Sequence, residues 1–194
     1  MVDSSIMGKK AVSGMVLLSC LIVVGIGLAG PSSSQNKASR EEATKQIRAT
    51  AYEMMKAFLT SDVQTFKRHS AKRTLDLVSL VYAAARQDPR YQQDLQNARI
   101  TNADQFLGYF VQGMATQYLQ SVPLSPEAAA RRVSNDSTVS FTSDSEARIL
   151  AGDNEVARAR LVGKVWRIDL TDSLKKPVLK EINDPAIRAK IKSL

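Results

Sequence analysis

Residues 155–170, EVARARLVGKVWRIDL, alternate apolar and polar side chains on both sides of the pair Gly163-Lys164. If this pair forms a hairpin turn, the apolar side chains of both arms share one face and the charged ones share the other. The expected pairs are Val162–Val165 beside the turn, Leu161–Trp166, Ala159–Ile168 and Ala157–Leu170 on the apolar face, and Arg160–Arg167 and Arg158–Asp169 on the charged face. A slip of one residue would destroy this sorting, so the pattern predicts both the hairpin and its register.

The same test predicts another strand before the hairpin. If residues 152–154 form a three-residue loop, apolar side chains again meet on one face, and Glu146 falls beside Arg160, where it would relieve the repulsion between Arg160 and Arg167. The expected apolar pairs are Ile149–Ala157 and Ala147–Ala159. The preceding STVSFT also alternates, at Val139 and Phe141. The C-terminal half is therefore predicted to contain an antiparallel meander with one apolar face.

Before residue 134 the apolar residues recur at helical spacing instead. A capping box at Ser39–Glu42 predicts a first helix over about 40–60. The further predicted helices cover 71–87, 90–98, 103–120 with Asn102 as cap, and a short segment from Ser125 to about Arg132, with a last helix capped by Asp184. Helices followed by a sheet indicate an α+β domain in which the helices cover the apolar face of the sheet.

The first thirty residues contain a long apolar run. Residues 11–30, AVSGMVLLSCLIVVGIGLAG, carry no charge and follow Lys9-Lys10. Twenty helical residues span about 30 Å, the thickness of a bilayer's hydrocarbon core, and the lysines favour a cytoplasmic N-terminus. The preferred interpretation is a transmembrane anchor. Two alternatives stay open: a cleaved export signal, and a lipoprotein leader in which LLSC resembles a lipobox and Cys20 is acylated.

This interpretation divides the chain into five segments. They are a cytoplasmic N-terminus (1–10), the anchor or signal (11–30), a flexible spacer (31–38), an extracytoplasmic α+β domain (39–174) and a basic C-terminal tail (175–194). The expected location is a bacterial inner or cytoplasmic membrane. Cys20 is the single cysteine, which excludes an intramolecular disulfide and a cysteine-based zinc site.

Two stretches resemble members of the nuclear-transport-factor-two-like (cystatin-like cone) superfamily. These are Ala57–Phe66, where a helix ends in a short turn, and Trp166–Leu170, a closing strand of the form W-x-I-D-L. The likeness extends weakly over about 45–170 and is closest to small exported bacterial members of unknown function. It implies a curved sheet and helices that enclose a conical pocket, often with dimerisation through the sheet.

The titratable residues offer little sign of catalysis. His69 is the only histidine and lies in KRHSAKR, so it is predicted to be a solvated surface residue rather than a general base. Asp169 and Asp172 are expected to form ion pairs or to be exposed, with Arg158 as the neighbour of Asp169. No catalytic residue, metal site or cofactor is predicted.

Two sets of residues are candidates for binding. The possible lining of an apolar pocket comprises Met54, Phe58, Phe110, Met114, Tyr118 and Trp166, although such residues more often form a core. The basic surface residues are Lys67, Arg68, Lys72, Arg73, Lys190 and Lys192. With 27 Lys and Arg against 19 Asp and Glu, the chain has a formal net charge of +8, which favours acidic neighbours.

These features predict a non-enzymatic, membrane-anchored module that binds a partner or helps assemble a complex of the cell envelope. The expected partners are the membrane, through one N-terminal span, and a protein or a second copy of the chain. The alternative is a carrier of an apolar small molecule in a cone-shaped pocket. Nucleic acid is not expected, because the basic residues lack interleaved exposed aromatics.

Overall fold

The computed structural model describes residues 34–122 and 124–194. Within them, eight helices pack on one four-stranded antiparallel sheet, so the predicted α+β class is confirmed. Six helices come first: α1 (Ser34–Leu59), α2 (Val63–His69), α3 (Lys72–Gln87), α4 (Pro89–Asn97), α5 (Ala103–Ser121) and α6 (Pro126–Asp136). The sheet follows as β1 (Thr138–Ser143), β2 (Glu146–Ala151), β3 (Asn154–Val162) and β4 (Val165–Asp169). Two helices end the chain, α7 (Thr171–Glu181) and α8 (Pro185–Ser193).

Four helices begin where short polar side chains predict a cap. Each capping side chain accepts a hydrogen bond from the backbone N–H three residues further on, which satisfies a donor that the helix leaves unpaired. The pairs are Asp62 with Thr65 at 3.1 Å, Asn102 with Gln105 at 2.9 Å, Ser125 with Ala128 at 3.2 Å and Asp184 with Ile187 at 2.8 Å.

The start of α1 differs from the prediction. The helix already includes Ser34, so Ser39 lies inside it and does not cap it, and residues 34–38 are helical rather than spacer. No proline or glycine occurs between residues 34 and 59, so nothing in the backbone stops helical hydrogen bonding before Ser39. A capping box has the required side chains here, but an uninterrupted helix makes it unnecessary.

The sheet has the predicted register. Strand order is β1-β2-β3-β4, and the pairs Leu161–Trp166, Ala159–Ile168 and Ile149–Ala157 all form. The turn between β2 and β3 is two residues, Gly152-Asp153, rather than the predicted three. A bulge restores the expected alignment, because one extra residue of β3 lies between the partners of Leu150 and Ile149.

The main core lies between the apolar face of the sheet and helices α1 to α5. Ile47, Val111, Ala159 and Trp166 are buried within it, and the tryptophan meets Phe141 edge-on with ring centroids 6.1 Å apart. Side chains thus fill the space between the sheet and these helices. The predicted pocket residue Trp166, 4% exposed, is a core residue.

A second core joins the C-terminal segment to α3. It consists of Leu77, Ala84, Val178, Ile182, Ile187 and Ile191. The segment 175–194, predicted as a basic C-terminal tail, packs against α3, because apolar side chains at helical spacing bury one face of α7 and α8 while the lysines occupy the other. The folded domain extends to the last helix.

In the described part of the chain, no helix has both the length and the apolar character needed to cross a membrane. The predicted cytoplasmic N-terminus (1–10), the apolar stretch 11–30 and the lipidation candidate Cys20 all lie outside the described residues.

Candidate functional site: an apolar groove between two cores

A groove with a cavity volume of about 410 Å³ runs along the seam between the two cores. One wall includes Ala85, Leu95 and Phe106 of the main core, and the opposite wall includes Val178 and Ile182 of the second core. Helix α3 packs against α4 and α5 on one side and against α7 and α8 on the other. The groove lies between these two pairs of helices. Its lining is mainly apolar.

Aromatic side chains of α4 and α5 dominate one side of this groove, and Tyr82 of α3 packs behind them in the core. Phe106 lies 5.4 Å from the ring of Tyr82 and 6.3 Å from the ring of Phe110, measured between centroids. Tyr91 and Tyr109 are half-buried beside them, and Met114 extends the same surface along α5. These side chains offer a rigid apolar surface with two phenolic hydroxyls.

Two of the six predicted pocket residues, Phe110 and Met114, line the groove. Met54 is buried in the core, Phe58 packs against that core and lies 6.4 Å from Phe66, and Tyr118 is not part of the lining. The apolar stripe of α5 did indicate the correct helix. Tyr91 and Tyr109 were not predicted, because Tyr91 lies on the short polar helix α4 and Tyr109 lies beside the apolar stripe predicted on α5. The only signal for either residue was its aromatic side chain.

Carboxylates surround the apolar surface. Asp88, Asp94, Glu181 and Asp184 all belong to the lining. Burial raises the pKa of the Tyr109 hydroxyl, and the negative charge of Asp94 acts in the same direction. Burial likewise raises the pKa of Tyr91, where Arg90 opposes the effect and Glu181 and Asp88 reinforce it. The groove thus combines an apolar body with a negatively charged margin.

Asp169 lies away from the groove, in a buried network at the end of β4. Its carboxylate, 2% exposed, accepts hydrogen bonds at 2.9 Å from Arg73, Arg160 and the backbone N–H of Thr171. The predicted ion pair is confirmed, but its partners are Arg73 and Arg160, whereas Arg158 pairs with Glu146 and Glu155. Burial disfavours the charged form, yet these donors outweigh it and keep the pKa of Asp169 below its usual value.

Asp172 has the exposure that the sequence predicts. Its side chain is 44% exposed and lies 3.6–3.8 Å from Arg73, Arg158 and Lys175. Both aspartates therefore belong to ion pairs at the start of α7.

Most of the side chains in the predicted basic patch on α2 and α3 form ion pairs. Lys67 contacts Asp104 at 2.9 Å, Lys72 contacts Asp76 at 2.6 Å, and Arg73 turns inward to Asp169. Packing brings Asp104 of α5 and Asp169 of β4 beside the patch, which spacing along the sequence does not reveal. Lys72 and Asp76, in contrast, form an i,i+4 pair within α3 that the spacing does indicate. Arg68 is exposed, as are Lys190 and Lys192 in the last turn of α8, where positive charge favours the helix.

His69 is not the solvated side chain that the sequence predicts. It is half-buried at the end of α2, and its Nδ1 atom is buried without a hydrogen-bond partner among the described residues. Burial lowers its pKa, as does the nearby Arg167, while Glu53 opposes them. The cause is the bridge between Ser70 and Ile168, which draws the end of α2 onto the sheet.

Among the described residues, no group of three or more His, Cys, Asp or Glu side chains is arranged to hold a metal ion. Comparison of the chain with protein-family models, curated proteins and solved structures gives no match. The resemblance to the nuclear-transport-factor-two-like superfamily stays a prediction. The described residues thus form an α+β domain with an apolar groove between its two cores.

Proposed function

We propose that this protein is a membrane-anchored, extracytoplasmic and non-enzymatic binding module that takes an apolar small molecule in the groove between α3, α4, α5 and α7. The groove is the main observation that supports this proposal. Its volume of about 410 Å³ falls within the range of small-molecule sites, which are concave, mostly apolar and provided with a few polar groups. The apolar stretch 11–30 supports the membrane location.

The arrangement of the titratable residues favours binding over catalysis. Asp169 is held by two guanidinium groups, and His69 makes no hydrogen bond through Nδ1 to a carboxylate that could orient it. General acid–base work needs such a group within hydrogen-bond reach of a substrate position. The groove instead offers aromatic and aliphatic surface.

A test can use the methionine methyl groups of the full-length chain. The chain has six methionines, of which Met114 lines the groove and Met54 is buried in the helix–sheet core. Full-length protein in phosphatidylcholine nanodiscs, labelled with 13C at the methionine methyls, would be titrated with N-phenyl-1-naphthylamine. We expect the Met114 resonance to shift and saturate while that of Met54 stays in place.

Substitution within α5 provides the matched comparison. Met114→Gln replaces an apolar lining side chain with a polar one of similar length, whereas Gln112→Ala changes an exposed position of the same helix outside the groove. With the probe's fluorescence as readout, Met114→Gln should weaken binding about tenfold, and Gln112→Ala should leave it unchanged. Equal binding by both variants, or an unshifted Met114 resonance, would refute the proposal.

A second candidate function is assembly with a protein partner or a second copy of the chain. It is favoured by the tip of the β3–β4 hairpin, where Val162 and Val165 pair with each other and are 59% and 49% exposed. Large aliphatic side chains exposed together are typical of contact surfaces. The double substitution of both valines by serine should lower the assembled fraction in analytical ultracentrifugation, and an unchanged distribution would exclude this hairpin as the contact.

A further inference from the structure

We infer that the ligand of the groove is a hydrophobic cation, an amine or quaternary ammonium attached to an apolar body. This inference rests on the proposed function, because it names the class of molecule that the same groove would take.

The charge of the lining is opposite to that of the chain. The chain has a formal net charge of +8, yet the described residues that line the groove include four Asp or Glu and no Lys, Arg or His. A concave site with one sign of charge and apolar walls concentrates ligands of the opposite sign. An anionic apolar molecule would meet repulsion from these carboxylates.

Two of the four carboxylates are already used within the protein. Asp88 caps α4 and pairs with Arg90, and Asp184 caps α8. Asp94 and Glu181 differ, because neither forms an ion pair with any described residue. Both are half-buried and stand on α4 and α7, on opposite sides of the groove. They are the groups that a cationic head would contact.

The aromatic side chains of the groove also favour a cationic head group. A cation within about 6 Å of a ring centroid is attracted by the negative face of the ring. Tyr109 and Asp94 both line the groove, as do Tyr91 and Glu181. The lining therefore offers both aromatic rings and unpaired carboxylates to an ammonium group.

One contact of the protein already has this chemistry. The guanidinium of Arg90 lies 5.3 Å from the ring centroid of Tyr91 and pairs with Asp88 at 2.5 Å. A cation is therefore stabilised between an aromatic ring and a carboxylate at the margin of the groove. A ligand ammonium at Tyr109 and Asp94 would repeat this arrangement inside it.

The test compares three probes with one phenylbutyl body and different head charges. They are 4-phenylbutyltrimethylammonium, 4-phenyl-1-butanol and 4-phenylbutyrate, each titrated into the full-length chain in uncharged phosphatidylcholine nanodiscs with the Met114 methyl shift as readout. We expect the ammonium to bind about tenfold more tightly than the alcohol, and the carboxylate most weakly, from one ion pair and one cation–π contact.

Variants that remove charges distinguish the effect of the carboxylates in the groove from the effect of the protein's overall charge. The double variant Asp94→Asn, Glu181→Gln should abolish the preference for ammonium over alcohol while the alcohol still binds. Asp153→Asn, which removes an exposed charge in the β2–β3 turn, should leave the preference intact. Equal binding of all three probes would overturn the inference and preserve the proposed function, whereas no Met114 shift with any probe would overturn both.

Discussion

Arg73 of α3 donates a hydrogen bond at 2.9 Å to the buried carboxylate of Asp169, ninety-six positions further along the chain. The adjacent Thr74 contributes a second link, because its hydroxyl accepts from the backbone N–H of Leu170 at 2.8 Å. The first turn of α3 is thereby joined to the end of β4 and the start of α7. Since α3 contributes to both cores, this junction also holds the two walls of the groove in place.

Replacing Asp169 by asparagine should destabilise the domain by about 3 kcal/mol, because it leaves two guanidinium groups without their buried counter-charge. Urea unfolding followed by circular dichroism measures this loss. The matched control is Asp172→Asn, three residues further on and 44% exposed, which should change the free energy of unfolding by less than about 1 kcal/mol. Similar losses in the two variants would contradict the role given to the buried network.

The Asp169 carboxylate also predicts how the free energy of unfolding depends on pH in the acidic range. Its pKa is lowered in the fold, so the stability it contributes is complete above the ordinary value of 3.8 and is lost as the pH falls through the folded value. Wild type should therefore lose more stability than Asp169→Asn between pH 5 and strongly acidic pH. Parallel curves of unfolding free energy against pH would refute this.

Trp166 is expected to act as a core residue. Trp166→Ala should lower the free energy of unfolding by about 3–5 kcal/mol, because it removes a large side chain that the helices and Phe141 enclose. Val165→Ala, the neighbouring position on the exposed face, should have an effect below about 0.5 kcal/mol. A small effect at Trp166 would mean that its ring lines an open pocket instead.

How far the sequence could predict this structure depends on the range of the interactions. The register of β3 and β4 was predictable because the alternation between Ala157 and Asp169 allows only one sorting of apolar and charged residues. Caps at Asn102 and Asp184 were predictable for the same reason, since they depend on neighbours three residues away. Most of the fold could therefore be predicted from local sequence patterns that allow few alternatives.

The groove was only half predictable because it arises between elements that are distant in sequence. Its lining combines α4 and α5 with Val178 and Ile182, which lie in the segment that the sequence predicts as a basic tail. The lysines of that segment concealed apolar residues that recur at helical spacing. Likewise, nothing near His69 in the sequence indicates that a bridge to β4 partly buries it.

The integration of the C-terminal helix can be tested at Ile191. This side chain is fully buried against α3, so Ile191→Ala should cost about 2–5 kcal/mol of unfolding free energy. Lys190→Ala, one position earlier and exposed, serves as the control and should be nearly neutral. An equally small effect at both positions, measured by urea unfolding, would contradict the packing of α8 against α3.

The single histidine makes its own titration measurable. Because burial and Arg167 lower the pKa of His69, its imidazole resonance in an NMR titration should have a midpoint below the ordinary value of 6.5. The folded protein therefore favours the neutral form of the His69 imidazole. Stability should be greatest above pH 6.5 and should fall as the pH passes from there through the lowered pKa, since the unfolded chain takes up the proton first.

The variant His69→Gln removes the titration while keeping a polar side chain of similar size. Its free energy of unfolding should change less than that of wild type as the pH falls from about 7.5 to 5, because no imidazole remains to bind a proton preferentially in the unfolded state. Glu53→Gln gives the second arm, since Glu53 opposes the shift and its loss should lower the His69 midpoint further. A midpoint at or above 6.5 in wild type would show that the imidazole is solvated after all and that its Nδ1 atom is bonded to water.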